Sequence, residues 1–296
     1  MTTSVHSPTA GRRRLRHALR RARDQAGLTQ EQVSEAMDWS LSKVIRIESG
    51  GVGISTTDLR QLLQLYQVTD PAEVDELVEL ARIGRQRPWW TRYRDSLPPA
   101  YLSYVGLEDE SSALRCVNPV GLPGLLQTEE YARALVSASW WAASTVNRTV
   151  IRESELDAAV EVRKIRQREV LHRPSPPQIT AILDEAVLWR QIGGADVLRR
   201  QLHHLIALGQ EPHISVRVLP FRTGVLHVLS PFVVIEFPDP ADSEVVYVEN
   251  VVDHTIVDGA EVVIYRNVFD QLQQASLAEA ESLELIARVA DELKAG

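Results

Sequence analysis

Apolar residues in the first third of the chain recur every three or four positions, which is the spacing of amphipathic helices that bury one face. Such runs cover residues 15–26, 30–37, 40–47, 59–66 and 71–81. Gly27 ends the first run, and Thr29, with Gln32 three positions later, begins the second as a capping box. The pattern predicts an all-α domain over residues 10–87, preceded by a polar, disordered tail over residues 1–9.

Beyond this domain the pattern of the chain changes. Paired prolines and tryptophans bracket residues 88–106, which we interpret as a connecting segment. Helical spacing returns at residues 108–116, 128–139, 153–172, 195–208 and 267–293. Short β-branched or aromatic runs between turns predict strands at residues 179–183, 214–219, 232–237 and 245–248. A larger α/β or α+β domain with a mixed sheet is therefore expected over 107–296, helical over 107–173 and α/β over 178–296.

The charge of the chain is unevenly distributed. The 296 residues carry a net charge of −8, which argues against uniform coating of nucleic acid. The first 50 residues hold nine basic and five acidic side chains, a net of +4 that leaves −12 for the remainder. A basic end on an acidic body is typical of one local nucleic-acid surface. The arginines at positions 12–16 fit either a phosphate-binding arm or a solvated tail.

Composition excludes several other classes of protein. The hydrophobic share of 44% and the charged share of 24% are those of a globular chain rather than a fibrous or disordered one. No apolar run is long enough to span a membrane, and no signal peptide is visible. One cysteine, Cys116, excludes an intrachain disulfide and a multi-cysteine zinc site. We expect a cytoplasmic, nucleoid-associated protein with no cofactor and no metal.

Two short helical runs joined by a tight turn, between residues 28 and 50, form the most specific motif of the chain. This geometry places a second helix in the major groove of DNA. The motif resembles the helix-turn-helix of the Cro/phage-repressor (XRE) family at Gln30, Glu31, Ser40, Ser42, Arg46, Ile47, Glu48 and Gly50. It departs at Asp38, where the turn commonly has glycine, but aspartate tolerates the left-handed conformation better than most residues.

The positions of the motif assign roles in DNA binding. Leu41, Ser42 and Arg46 are expected to face the base edges, with Arg46 as the candidate for guanine. Gln30, at a helix N-terminus, and Lys43 are expected to contact phosphates. Ser40 belongs to the candidate DNA-binding residues as well, although an N-cap is its better interpretation.

An ion pair between the first helix and the recognition helix is implied by the same resemblance. In that family the positions of Arg23 and Glu48 pair beneath the groove-reading surface. A carboxylate at a helix C-terminus is unfavourable unless a cation compensates it. We expect the charged groups of Arg23 and Glu48 to lie within about 4 Å of each other, the usual ion-pair limit, and to be largely buried.

The remainder of the chain carries a second resemblance. Trp89-Trp90-x-x-Tyr93, the segment from Leu122 to Ala132 (Leu-Pro-Gly-Leu-Leu-Gln-Thr-Glu-Glu-Tyr-Ala) and Arg163-x-x-Arg-Gln-Arg168 carry it. They are similar to the C-terminal domain of WhiJ-like (antitoxin-like) actinobacterial transcriptional regulators. The resemblance implies a domain of unknown function and often a small BldB-like partner protein. Candidate residues for a partner or ligand groove are Glu108, Leu122, Pro123, Gly124, Gln127 and Tyr131; a purely structural turn that buries Leu125 and Leu126 is the alternative.

An enzyme is the least favoured interpretation of the C-terminal body, and we assign no catalytic residue. The histidines lack metal-ligand spacing, and Asp184-Glu185 are better explained by capping or ion pairing. The strand order after Ile179 loosely resembles half of a phospholipase-D-type domain, but His227 lacks a lysine two positions later. The leading hypothesis is a homodimeric regulator that binds palindromic DNA and, through its C-terminal domain, a small partner protein or ligand. The alternative is an antitoxin-type module that neutralises a neighbouring protein.

Overall fold

A computed structural model describes residues 8–48, 52–86, 88–147, 153–223, 230–239, 242–249 and 254–293, without the side chains of residues 9, 10 and 139–147. The chain divides into two compact units, Met1–Thr91 and Arg92–Gly296. The described part of the N-terminal unit contains five α-helices, and the C-terminal unit contains a six-stranded sheet with helices.

The N-terminal unit is a bundle of helices around one apolar core. The helices are α1 (Pro8–Gln25), α2 (Gln30–Ala36), α3 (Leu41–Glu48), α4 (Thr56–Leu65) and α5 (Pro71–Gly84). Leu19, Val33 and Leu59 are fully buried at its centre, as the three- and four-residue spacing predicts. Gly11 of α1 lies against α5, where an added Cβ would stand 2.9 Å from the carbonyl oxygen of Leu80. This close approach of two backbones requires glycine.

Local signals in the N-terminal unit have the predicted geometry. Gln32 N donates to Thr29 Oγ1 and Thr29 N donates to Gln32 Oε1, which completes the capping box. Asp38, in the turn after α2, has φ of 53°, the left-handed conformation for which glycine is common. The predicted tail is wrong at its inner end because α1 begins at Pro8, and residues 1–7 lie outside the described residues. Gly50, the last matching position of the helix-turn-helix motif, also lies outside them.

The C-terminal unit packs helices against a mixed six-stranded sheet. Its helices are α6 (Pro99–Glu110), α7 (Glu129–Asn147), α8 (Glu153–Arg166), α9 (Glu185–Trp189), α10 (Ala195–Leu208), α11 (Val262–Ala275) and α12 (Glu279–Glu292). Its strands are β1 (Ala113–Asn118), β2 (Gln178–Asp184), β3 (Ile214–Leu219), β4 (Phe232–Glu236), β5 (Val245–Glu249) and β6 (His254–Val257). The order is β3-β2-β1-β4-β5-β6, with β1, β2 and β3 parallel and the β1–β4, β4–β5 and β5–β6 pairs antiparallel. The predicted fold class, a helical domain followed by an α/β domain with a mixed sheet, is confirmed.

Three predictions for this unit are wrong. The helix expected over 108–116 ends at Glu110, and Cys116 lies on β1, between β2 and β4. The division into a helical 107–173 and an α/β 178–296 therefore fails, because a central strand lies inside the first part. The connecting segment 88–106 contains the start of α6: Pro99 occupies a first-turn position of a helix, where proline is tolerated. The helical spacing at 267–293 corresponds to two helices, α11 and α12, and α11 begins earlier than the spacing indicates, at Val262.

Candidate DNA-reading helix and C-terminal cavity

Helix α3 presents one continuous exposed face. Leu41, Ser42, Ile45 and Arg46 are exposed, whereas Val44, Ile47 and Glu48 are buried. At 3.6 residues per turn, the four exposed side chains span an arc of about 140°. Ile45, 44% exposed, was missed by the sequence analysis, although it lies four residues after Leu41 on the same face. An exposed apolar residue on this face is suited to contact with a thymine methyl group.

The other predicted DNA-contacting residues make contacts within the protein. Ser40 caps α3, since its Oγ accepts from Lys43 N at 3.2 Å. Lys43 Nζ lies 3.1 Å from Asp58 Oδ2 and 3.7 Å from the ring centroid of Trp39. The Gln30 side chain donates to Glu48 Oε2 at 2.7 Å, so this amide, which we expected at a phosphate, holds α3 in place.

Arg23 and Glu48 join α1 to α3. Arg23 Nε lies 2.8 Å from Glu48 Oε1, inside the 4 Å limit expected from the sequence, with exposures of 15% and 1%. Arg23 Nη1 donates to the carbonyl of Leu28 rather than completing a bidentate fork. Burial by itself would lower the pKa of Arg23, but the hydrogen bond and charge of Glu48 outweigh it and raise that pKa. Tyr66 OH also donates to Glu48, and burial followed by this charge raises the pKa of Tyr66.

The C-terminal unit contains a cavity of about 240 Å³. It lies between α6, α7, α8, the segment that follows β1, and the strands β1, β4, β5 and β6. Apolar walls come from side chains such as Leu97, Leu122 and Phe232, and polar ones from Asn118, Gln127 and Arg163. Ligand sites in proteins combine a largely apolar lining with a few polar groups in this way.

A buried ion pair supports one wall of the cavity. Arg166 Nε and Nη2 donate to the two carboxylate oxygens of Glu108 at 2.6 and 2.5 Å, and the side chains are 3% and 0% exposed. Tyr101 OH accepts from Arg166 Nη1, and Tyr104 OH donates to Glu108. Burial by itself would lower the pKa of Arg166, but the charge of Glu108 raises it. The Arg166 guanidinium is therefore charged, and the hydrogen bonds of the pair fix the rings of Tyr101 and Tyr104.

Aromatic rings form a stack beside this ion pair. Tyr104 and Tyr247 are parallel within 13° at a centroid distance of 4.1 Å, and Tyr247 stacks on His254 at 5.7 Å. Tyr247 OH also lies 2.8 Å from His254 Nδ1. The stack joins α6 to β5 and β6 and gives the cavity a flat aromatic wall.

The segment between β1 and α7 forms another wall of the cavity. Leu122, Pro123, Gly124 and Gln127 line the cavity, as a groove would require, whereas Glu108 and Tyr131 are fully buried and are not among its lining residues. An added Cβ at Gly124 would stand 3.2 Å from Arg166 Nη1, a tight contact that only a small shift of this guanidinium would relieve. Leu125 and Leu126, on the same segment, are buried. The segment thus lines the cavity and contributes to the core at once.

Three side chains that could carry chemistry, those of Cys116, Asp184 and Glu185, lie in surroundings that favour a structural role. Cys116 lines the cavity, but burial, and then the charge of Glu108, raises the pKa of its thiol to about 12, so the thiolate form is scarce at neutral pH. Asp184 caps α9 through the backbone N–H of Ala186, and Glu185 accepts from the backbone of Phe221. Within the described ranges, no three His, Cys, Asp or Glu side chains are grouped so as to hold a metal ion.

Comparison with known protein families gives two matches. A helix-turn-helix domain model matches residues 14–77, and the model of a domain of unknown function, DUF5753, matches residues 101–288, more than half of the chain. The chain belongs to the DUF5753 family. The helix-turn-helix match on this DUF5753 protein contains the exposed face of α3, which supports a DNA-binding regulator. No curated protein and no solved structure matches the chain.

The DUF5753 match contains the cavity-lining residues other than Leu97 and Pro98. The cavity of this chain therefore lies mainly in the region that matches the family. In the part of the chain that the structure describes, no helix combines the length and the apolar character that a bilayer crossing requires.

Proposed function

We propose that this DUF5753 protein is a sequence-specific transcriptional regulator of the XRE, WhiJ-like, actinobacterial type, whose C-terminal domain binds a small ligand. The observation that carries the first half is the exposed face of α3 inside a helix-turn-helix match. The cavity, whose lining lies mostly within the DUF5753 match, supports the second half. The proposed role includes no catalysis and no cofactor, and it places the protein at the nucleoid in the cytoplasm.

The proposed DNA site is a palindrome bound by a homodimer. One helix-turn-helix buries little surface on DNA, and a symmetric dimer doubles that surface across half-sites about one helical turn apart. Selection of binding sites from random duplexes by the full-length protein is expected to return an inverted repeat. Sedimentation of the complex is expected to show two chains per site. One chain on a non-repeated sequence would contradict this proposal.

Arg46→Ala and Lys43→Ala are expected to weaken DNA binding in different ways. Arg46 lies on the exposed face of α3, so its loss is expected to cost about 1–3 kcal/mol and to relax the preference at one base pair. Lys43 lies beside that face, paired with Asp58, and its loss is expected to weaken binding to all sequences alike. Affinities for a panel of single-base operator variants distinguish the two results.

Glu35→Ala, on the exposed side of α2, is the control for these substitutions and is expected to leave the base profile unchanged. If Arg46→Ala and Lys43→Ala give the same base profile, the assignment of base reading to Arg46 is wrong.

A protein partner is the second candidate for the C-terminal domain. Trp189 and Phe221 are 40% and 62% exposed and border a shallow recess with Arg190. Exposed aromatic and arginine side chains are enriched where proteins bind each other. This patch supports a small BldB-like partner or an antitoxin-type role. Co-purification from the native host, compared between the wild type and Phe221→Ser, tests it: a specific small protein retained by the wild type and lost by the variant is the expected result.

A further inference from the structure

Two polar groups that line the cavity lack the partners that buried polar groups normally have. Gln127 is 3% exposed, and its Nε2 donates to the carbonyl of Leu122, whereas its Oε1 is buried and has no donor among the described residues. Buried acceptors in native proteins are nearly always hydrogen-bonded to protein, water or ligand. A group in the cavity that donates a hydrogen bond would satisfy Gln127 Oε1.

Arg163 supplies a positive charge that the described protein does not neutralise. Its Nη1 donates to the carbonyl of Ala159 in its own helix, and its Nε is buried without an acceptor in the described part of the chain. Arg166, one turn further along, is neutralised by the bidentate contact with Glu108. Glu249, the carboxylate that also lines the cavity, is exposed at its opening, where water screens its charge. Among the described lining residues, Arg163 is therefore a cation without a carboxylate in ion-pair contact.

The rest of the lining favours a flat apolar body. Tyr101, Tyr104, Tyr247 and His254 supply aromatic surface, and Arg163 lies 6.0 Å from the ring centroid of Tyr101. Aromatic rings prefer offset-stacked or edge-to-face partners. A volume of about 240 Å³ is below the range of drug-sized ligand sites, so the ligand is small.

We propose that the cavity binds a small aromatic monocarboxylate that carries a hydrogen-bond donor on its ring. Arg163 binds the carboxylate, Gln127 Oε1 accepts from the donor, and the tyrosine wall contacts the ring. One unpaired cation matches one negative charge, and a guanidinium offers a carboxylate two parallel hydrogen bonds. This inference rests on the proposed ligand-binding role of the C-terminal domain and adds the chemical class of the ligand.

Calorimetric titration of the full-length protein with 2-, 3- and 4-hydroxybenzoate tests the inference. At least one isomer is expected to saturate a single site per chain. Its neutral counterpart, the hydroxybenzamide, and benzoate, which lacks the donor, are each expected to bind at least tenfold more weakly. Acetate, which lacks the ring, is expected not to saturate the site at the same concentrations. Equal binding of acid and amide, or no saturation by any isomer, overturns the proposed class of ligand.

Arg163→Gln assigns the binding to this cavity. The variant is expected to bind the best hydroxybenzoate at least tenfold more weakly and the amide within twofold of the wild type. Arg163→Lys keeps the charge and is expected to retain the preference for the acid. Arg168→Gln, five residues away and 70% exposed beside Glu169, is the matched control and is expected to bind as the wild type does. Unchanged binding of the acid by Arg163→Gln overturns the proposal.

A cooperative thermal unfolding transition shows that each variant is folded. If Arg163→Gln is not folded, the comparison of acid and amide binding by Arg163→Lys takes its place. DNA binding, measured on the same preparations, separates this inference from the proposed function. If the protein binds its palindrome but none of the hydroxybenzoates, the proposed regulator is supported and the proposed class of ligand is wrong. If it binds a hydroxybenzoate but no specific DNA, the class of ligand is supported and the proposed regulator is wrong.

Discussion

The Glu48→Ala substitution is expected to lower the free energy of unfolding of the N-terminal unit by about 3 kcal/mol, near the lower end of the cost of breaking a buried ion pair. Glu48 accepts hydrogen bonds from Arg23, Gln30 and Tyr66, which come from α1, α2 and the end of α4. Its removal leaves Arg23 paired with the exposed Asp24, at 2.9 Å, and leaves two further donors without their acceptor. Arg23 is 15% exposed, so Asp24 and water compensate part of its charge and keep the cost near that lower end.

DNA affinity is expected to fall in the same variant, although Glu48 is buried and is not part of the exposed face of α3. The hydrogen bonds to Glu48 fix α3 against three other helices, and their loss loosens the helix that contacts the base edges. Hydrogen exchange of the α3 amides measures this loosening, and titration with the selected operator measures the affinity.

The control for Glu48→Ala is Glu35→Ala, which removes an exposed carboxylate from α2 and is expected to change stability by less than about 0.5 kcal/mol. Glu48→Gln keeps the shape and a hydrogen-bond acceptor but not the charge, and is expected to fall between the two. If Glu48→Ala exchanges and binds DNA as the wild type does, Glu48 does not position α3.

The N-terminal unit was largely predictable because its signals are local. Capping residues, apolar spacing and the left-handed Asp38 each depend on a few neighbouring positions. The Arg23–Glu48 contact joins distant positions, and a family resemblance was needed to expect it. The shared role of Gln30 and Tyr66 at Glu48 was missed, since Gln30 has the position of a phosphate contact and Tyr66 has the pattern of a core residue.

The C-terminal cavity was less predictable because it is assembled by strand pairing between distant parts of the chain. β1 pairs with β2 and β4, which begin about 65 and 120 residues later, and its six residues carry no alternation that distinguishes them from a helix. The spacing of Tyr101, Tyr104 and Glu108 and that of Arg163 and Arg166 does place each set on one helix face. Nothing local indicates that these two faces meet, or that β5 and β6 bring Tyr247 and His254 to them.

Glu108→Gln is expected to destabilise the C-terminal unit by about 3–5 kcal/mol, the largest effect of any single substitution proposed for this protein. The amide keeps the size of the carboxylate but cannot neutralise Arg166, whose side chain is 3% exposed. The stranded cation is then held where water cannot hydrate it. Tyr104 also loses a charged acceptor. Chemical denaturation of the full-length protein, with near-ultraviolet circular dichroism reporting on the tyrosine stack, measures the loss.

Glu129→Gln is the matched control, because Glu129 pairs with Lys164 at 2.7 Å but both side chains are about half exposed. An exposed pair contributes at most about 1 kcal/mol, so the same chemical change at a similar distance is expected to have little effect.

The double variant Glu108→Gln/Arg166→Met removes the stranded cation and is expected to be more stable than the sum of the two single losses implies. Simple additivity in this cycle, or a Glu108→Gln protein as stable as the Glu129→Gln control, would contradict the coupling. A coupled result means that the wall beside Arg163 is held by charge as well as by packing, so that burial of the Glu108–Arg166 pair leaves Arg163 as the cation available to a ligand.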